Sequence, residues 1–250
     1  MTRLIKSALL DDSRQLFAVL EKSPELEELT LVGGTALALQ INHRVSLDFD
    51  FAAFDEILPT RNIDALINRL RAGKNHINEI TDTNAVSQFK INTGENLRDY
   101  ARDYVMNNIK VTFFTLGKNQ NQRQFYKDTA KVKDPGATFS VLGMDGLKTA
   151  KTLVLADRVR SRDLFDLMIL VKDYSFTLDQ MNLIVKQIGH IDDMEHYRAV
   201  MTGVIPLDNK DEGLNPVNVT VKIEDIYLFF EDLFAEHDVE TAAEFYSEKF

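Results

Sequence analysis

Two aspartates one residue apart, Asp48 and Asp50, stand fourteen and sixteen positions after a double glycine, Gly33-Gly34. Side chains alternate along a strand, so an extended reading puts Ser46, Asp48 and Asp50 on one face and Leu47, Phe49 and Phe51 on the other. At ordinary strand rise the two aspartate Cα atoms lie about 6–7 Å apart. Carboxylates at that spacing converge on one hard cation, or bracket two ions about 3.5–4 Å apart. Glycines without a Cβ let an anion approach the backbone. The free N–H groups of the helix start they open, from Thr35 onward, favour a phosphate, and Thr35 adds a hydroxyl. Each half has a plainer reading. Gly-Gly is a common strand-to-helix turn, and alternating acids are common on a solvated strand face. Together they point to a nucleotide site: a phosphate cradle beside a metal site.

The wording Gly33-Gly34-Thr35-Ala36-Leu37, then His43-Arg44-Val45-Ser46-Leu47-Asp48-Phe49-Asp50, resembles the polymerase-β-like nucleotidyltransferase superfamily, and within it the AbiEii/AbiGii toxin-type nucleotidyltransferases. A later stretch resembles that family's second signature, a lysine helix ending in Arg-Asp-x-x-Asp: Lys151, Arg158, Arg162, Asp163 and Asp166. The resemblance spans about residues 28–172. It implies Mg²⁺ held by Asp48 and Asp50, with NTP as substrate. Gly33, Gly34 and Thr35 then cradle the phosphates, with Ser46 on the same face. Lys151 is implied as a phosphate contact, Arg158 and Arg162 as further nucleotide contacts, and Asp163 as the later acidic active-site residue. Relatives carry a third carboxylate on a strand facing Asp-x-Asp. The matching residue here is Thr112, and Glu79 and Asp82 are candidates to supply an acid from another strand.

Read from spacing alone, residues 145–173 form one helical surface. On it Lys151, Arg158 and Arg162 lie within about 40° of one another, with Asp166 near the same stripe. The alternative is an exposed charged face laced with i,i+4 pairs such as Arg162 with Asp166.

The elements that position these residues follow from periodicity. Residues 3–22 read as an amphipathic helix closed by Ser23-Pro24, and residues 61–72 as a helix ended by Gly73. Residues 76–92 and 107–116 read as strands joined by a polar stretch. Residues 178–188 and 223–234 read as helices around a loop at 203–220, and residues 239–250 as a last acidic helix. The fold class is α+β: a nucleotidyltransferase core with a mixed sheet over residues 1–140, then a mainly helical domain over 141–250. The site is expected in the cleft between them.

The chain has 250 residues, a net charge of −10 and no cysteine. That composition excludes disulfides and thiolate metal sites and argues against a broadly basic nucleic-acid surface. No apolar run is long enough for a membrane span and the start does not read as a signal peptide, so the expected location is cytoplasmic. The five histidines have no metal-ligand spacing, and only His43 lies near the site. By resemblance the protein is the toxin of a toxin–antitoxin or phage-defence pair with a cognate antitoxin, transferring a nucleoside monophosphate to an acceptor hydroxyl, often on tRNA. Two alternatives stand: transfer to a small molecule or a protein, which the acidic charge suits, and a non-catalytic nucleotide-binding module, which Thr112 suits.

Overall fold

A computed structural model describes residues 4–247. The chain divides into two compact units, Met1–Leu147 and Lys148–Phe250.

The first unit is built on a mixed seven-stranded sheet. Its strands are β1 (Thr30–Val32), β2 (Phe49–Ala53), β3 (Ile77–Glu79), β4 (Ala101–Met106), β5 (Ile109–Thr115), β6 (Lys131–Val132) and β7 (Ser140–Leu142), in the order β3-β4-β5-β2-β1-β7-β6. β2 runs antiparallel to β1 and parallel to β5, which brings Val32, Asp50 and Thr112 into one register row. The alternation expected of the Asp-x-Asp strand is present. Phe49 and Phe51 are fully buried, and with Phe17, Phe113 and Phe139 they form an aromatic cluster at centroid distances of 5.0–5.8 Å. Each such ring stabilises the unit by roughly 1.5–3 kcal/mol on burial, so the core face is fixed and the aspartate face must turn the other way.

Helix α1 is Asp11–Leu20, α2 is Gly33–Ile41 and α3 is Thr60–Ala72. In α3, Ile63, Leu66, Ile67 and Leu70 are buried at helical spacing, and Arg69 clasps Glu25 through two hydrogen bonds of 2.7 and 2.9 Å. Residue 3 of the expected helix over residues 3–22 lies outside the described residues, and among the described ones the α-helix begins only at Asp11. Leu9 instead bridges to Ser46 as extended chain, and this bridge ties the entry of the Asp-x-Asp segment to the first turns of the protein.

Residues 76–92 are not one strand. After β3, Asp82 caps α4 (Thr83–Thr93) by accepting from the Asn84 N–H, and Gly94 ends it at φ +78°. The helix buries no side chain, so it leaves no apolar stripe to read. β4 lies where a polar connection was expected, paired with β5 through a two-residue turn at Asn107 and Asn108, both at positive φ. Helix α5 (Gln120–Asp128) and strands β6 and β7 complete the unit.

Helix α6 (Met144–Leu153) carries the chain across the boundary. The regular elements described in the second unit are all helical: a 3-10 turn at Val154–Ala156, α7 (Ser161–Tyr174), α8 (Leu178–Ile188), α9 (Met194–Met201), a 3-10 turn at Asn215–Val217 and α10 (Ile223–Ser247). α8 opens with a Thr177/Gln180 capping box. α10 is a single helix, not two: no glycine or proline interrupts 223–247, and Ile226, Phe230 and Phe234 bury one stripe. Residues 248–250 of the expected last helix lie outside the described residues.

Candidate active site

In the first unit the site residues gather where β1 ends. Val32 is extended, Gly33 turns at φ +69°, and α2 begins with no capping hydrogen bond from the Val32 side chain. The first N–H groups of a helix lack intrahelical partners, so this end presents backbone donors and a positive dipole. Register puts Asp50 beside Val32, and its carboxylate lies over the turn: a Cβ on Gly33 would come within 2.9 Å of Oδ2. Both the φ and the contact require glycine. A Cβ on Gly34 would overlap the Arg44 guanidinium. Arg44 is 9% exposed and donates from Nη1 to the Val45 carbonyl at 3.1 Å. The glycines thus make room for one anionic and one cationic side chain.

Thr35 does a different job from the one expected. Its hydroxyl donates to the carbonyl oxygen of Asp48. With that proton committed, the Ser46 hydroxyl must donate to Thr35 Oγ1, at 2.5 Å. Both residues are buried. They lace the start of α2 to the segment entering β2 and fix where Asp48 leaves the backbone, so they position the aspartate.

Glu79 and Asp82 do not supply a third acid to this row. Glu79 is in register with Tyr104, on the opposite face, and pairs with Arg98 at 2.7 Å. Asp82 is spent on capping α4. The acid that enters the row is Asp103, which sequence reasoning missed. Thr112 pairs with Asp50 on one side and Asp103 on the other, and its hydroxyl donates to Asp103 Oδ1 at 2.8 Å. Asn107-Asn108 is the signal that would have found it. A two-residue hairpin turn fixes the register of both arms, which puts residue 103 opposite residue 112. Arg44 was also missed as a site residue; its place beside Gly34 depends on the fold.

Lys151, Arg158, Arg162 and Asp163 belong to the second unit. They do not form a stripe on one helix, because the chain breaks between α6 and α7. Arg160 is extended there, and Asp208 holds Val159 beside it: the Val159 N–H donates to the Asp208 carboxylate, and the Asp208 N–H donates to the Val159 carbonyl. Lys151 is buried and bridges Asp163 Oδ1 at 2.7 Å and Asp166 Oδ2 at 2.6 Å. Arg158, half-exposed, reaches Asp163 Oδ2 at 2.9 Å. Two cations therefore balance two buried carboxylates. Burial pushes the Asp163 carboxyl up, but the charges of Lys151 and Arg158 and the Lys151 hydrogen bond outweigh it and hold the group below the ordinary aspartate range. Arg162 pairs with Glu212 at 2.7 Å, not with Asp166 as i,i+4 spacing suggested.

The described residues contain no group of three or more acidic or histidine side chains arranged to hold a metal ion. Two carboxylates still suit Mg²⁺, which takes most of its shell from water and substrate phosphate, and one of them, Asp50, lies over the Gly33 turn, against the place a Cβ would fill.

No curated protein matches the chain. Among solved structures it is similar to an H. pylori protein assigned as a nucleotidyltransferase, at 19% identity and TM-score 0.49, covering 92% of this chain and 94% of that one. It is also similar to JHP933 from Helicobacter pylori, at 18% identity and TM-score 0.46, covering 96% and 99%. A third is MenT4, a nucleotidyltransferase toxin from Mycobacterium tuberculosis, at 14% identity and TM-score 0.44, covering 89% and 85%. The family model for the nucleotidyl transferase AbiEii toxin of type IV toxin–antitoxin systems matches residues 14–246, so the chain belongs to the AbiEii nucleotidyltransferase toxin family.

Proposed function

We propose that the protein transfers a nucleoside monophosphate from an NTP to an acceptor hydroxyl, with Asp48 and Asp50 holding Mg²⁺. The observation that carries this reading is the Asp50 carboxylate seated over Gly33 at the start of α2. Acid and phosphate-binding amides then address the same few ångströms. Mg²⁺ bound there supplies Lewis-acid charge to the triphosphate.

The chain's own residues do the rest. The amides of Gly33 and Gly34 orient the triphosphate at the helix start. Arg44, packed on Gly34, adds positive charge where negative charge builds on the leaving pyrophosphate. Thr35 and Ser46 keep Asp48 in place. In the second unit, Lys151, Arg162 and Asp163 carry roles implied by resemblance, as phosphate contacts and acidic residue. Arg158 is the more accessible partner of Asp163 and is proposed as a nucleotide contact. Arg158→Gln is expected to raise KM for NTP several-fold with kcat less affected.

The proposed acceptor is tRNA, inside a toxin–antitoxin pair. The net charge of −10 favours a second reading, a small-molecule or protein acceptor. Incubation with labelled NTP and separate pools of tRNA, protein and aminoglycoside distinguishes them by which pool takes the label. Asp48→Ala is expected to relieve growth arrest caused by expression. Arrest that persisted with a folded, soluble variant would count against catalytic toxicity.

A further inference from the structure

We infer that Asp103 is a catalytic residue on the acceptor side: it hydrogen-bonds the attacking hydroxyl and takes its proton. The inference rests on the nucleotidyl-transfer reading above.

Register puts Asp50, Thr112 and Asp103 in one row on one face of β2, β5 and β4. The opposite face of these strands is packed: Phe51, Phe113 and Tyr104 are buried there. The row itself is only partly covered, and the Asp103 side chain is 34% exposed. With neighbouring strands about 4.8 Å apart, Asp103 stands about 10 Å from Asp50, Cα to Cα. That gap accommodates a phosphorus atom held on the Asp50 side and an attacking oxygen about 3–3.5 Å from it.

The Asp103 carboxylate is held in a particular way. Thr112 Oγ1 donates to Oδ1 at 2.8 Å, and Lys110 Nζ approaches the same oxygen at 3.7 Å. Among the described residues no hydrogen bond reaches Oδ2. One oxygen anchors the group, and the other is left to meet a hydroxyl arriving over the open face. A general base must lie within hydrogen-bond reach of the proton it abstracts, and the row brings no other carboxylate to the side of Asp50 away from Gly33. In the step, the acceptor oxygen forms a bond to the α-phosphorus. The bond from that phosphorus to the pyrophosphate oxygen breaks, and pyrophosphate leaves with the electron pair. The acceptor proton passes to Asp103 Oδ2 and then to water.

Asp103→Asn tests this, because the amide oxygen can still accept from Thr112 while the group no longer takes a proton. Transfer is read with labelled NTP and whichever of the tRNA, protein and aminoglycoside pools labels with the wild type. Mg²⁺-NTP binding is read by calorimetry and folding by thermal unfolding. The expected result is a kcat loss of about 100-fold or more, with NTP KM, NTP binding and the unfolding midpoint retained. Thr112→Val, which releases the anchored oxygen, is expected to lower kcat by about 10-fold or less. A variant as fast as wild type overturns the inference. Loss of NTP binding along with rate overturns it too, since Asp103 would then belong to the triphosphate side. A wild type that labels no pool overturns the transfer reading itself, and the inference with it.

Discussion

Replacing Gly33 with alanine separates two demands that the turn makes on one residue. The first is conformational: at φ +69° an L-residue costs about 1–2 kcal/mol. For a chain of this size each kcal/mol shifts the unfolding midpoint by about 2–4 °C. The second is local: the new Cβ lies 2.9 Å from Asp50 Oδ2, so the carboxylate must move off the helix start. A misplaced charged contact is worth about 1.5–3 kcal/mol, which is about a 10- to 150-fold weaker Kd for Mg²⁺-NTP. Gly94 supplies the control. It sits at φ +78° with nothing within 4 Å of an added Cβ, so Gly94→Ala repeats the backbone cost without touching Asp50. Calorimetry and thermal unfolding on the two variants should give similar losses of stability and different losses of binding. If Gly33→Ala bound Mg²⁺-NTP as tightly as Gly94→Ala, the placement of Asp50 over Gly33 would have no functional weight.

Further outcomes follow from the same contacts. Lys151→Met leaves Asp163 and Asp166 buried without their shared cation and should cost about 3–5 kcal/mol in urea unfolding. Adding Asp163→Asn and Asp166→Asn to it should recover most of that loss. The Asp163 pKa is lower folded than unfolded, so the unfolded state binds more protons as the medium turns acid. The stability from this group is therefore present above about pH 4 and lost as pH falls through the lower folded value. Unfolding curves at pH 7 and pH 3 should differ less in Asp163→Asn than in wild type. Thr35→Val removes the donor to the Asp48 carbonyl and the acceptor of Ser46. It should cost about 1–3 kcal/mol and lower the transfer rate, read by unfolding and pyrophosphate release.

What the sequence revealed depended on whether a residue's surroundings were local. The alternation around Asp48 and Asp50 is a property of five consecutive residues, and it places Phe49 and Phe51 in the core. The glycine turn and the helix after it were equally legible, because Gly33 must take φ +69° and residues 35–41 form helix readily. The use of Thr35 was not legible: its hydroxyl is claimed by groups eleven and thirteen positions away. The stripe of Lys151, Arg158 and Arg162 assumed one helix, whereas the chain is extended at Arg160 between α6 and α7, and Asp208, about fifty residues on, holds Val159 beside it. α4 escaped because it buries nothing, and only its caps, Asp82 and Gly94, marked it. Asp103 lay within reach of the sequence through the Asn107-Asn108 turn, whose register needs no tertiary information.

In the proposed mechanism Asp48 and Asp50 hold the metal–triphosphate at the start of α2. Calorimetric titration with each NTP, with and without Mg²⁺, on wild type and Asp50→Asn reads that role at the metal itself. The expected result is Mg²⁺-dependent binding that the variant loses while its unfolding midpoint stays near that of wild type. Equal binding by the folded variant, or binding indifferent to Mg²⁺, would rule out that role for the two carboxylates.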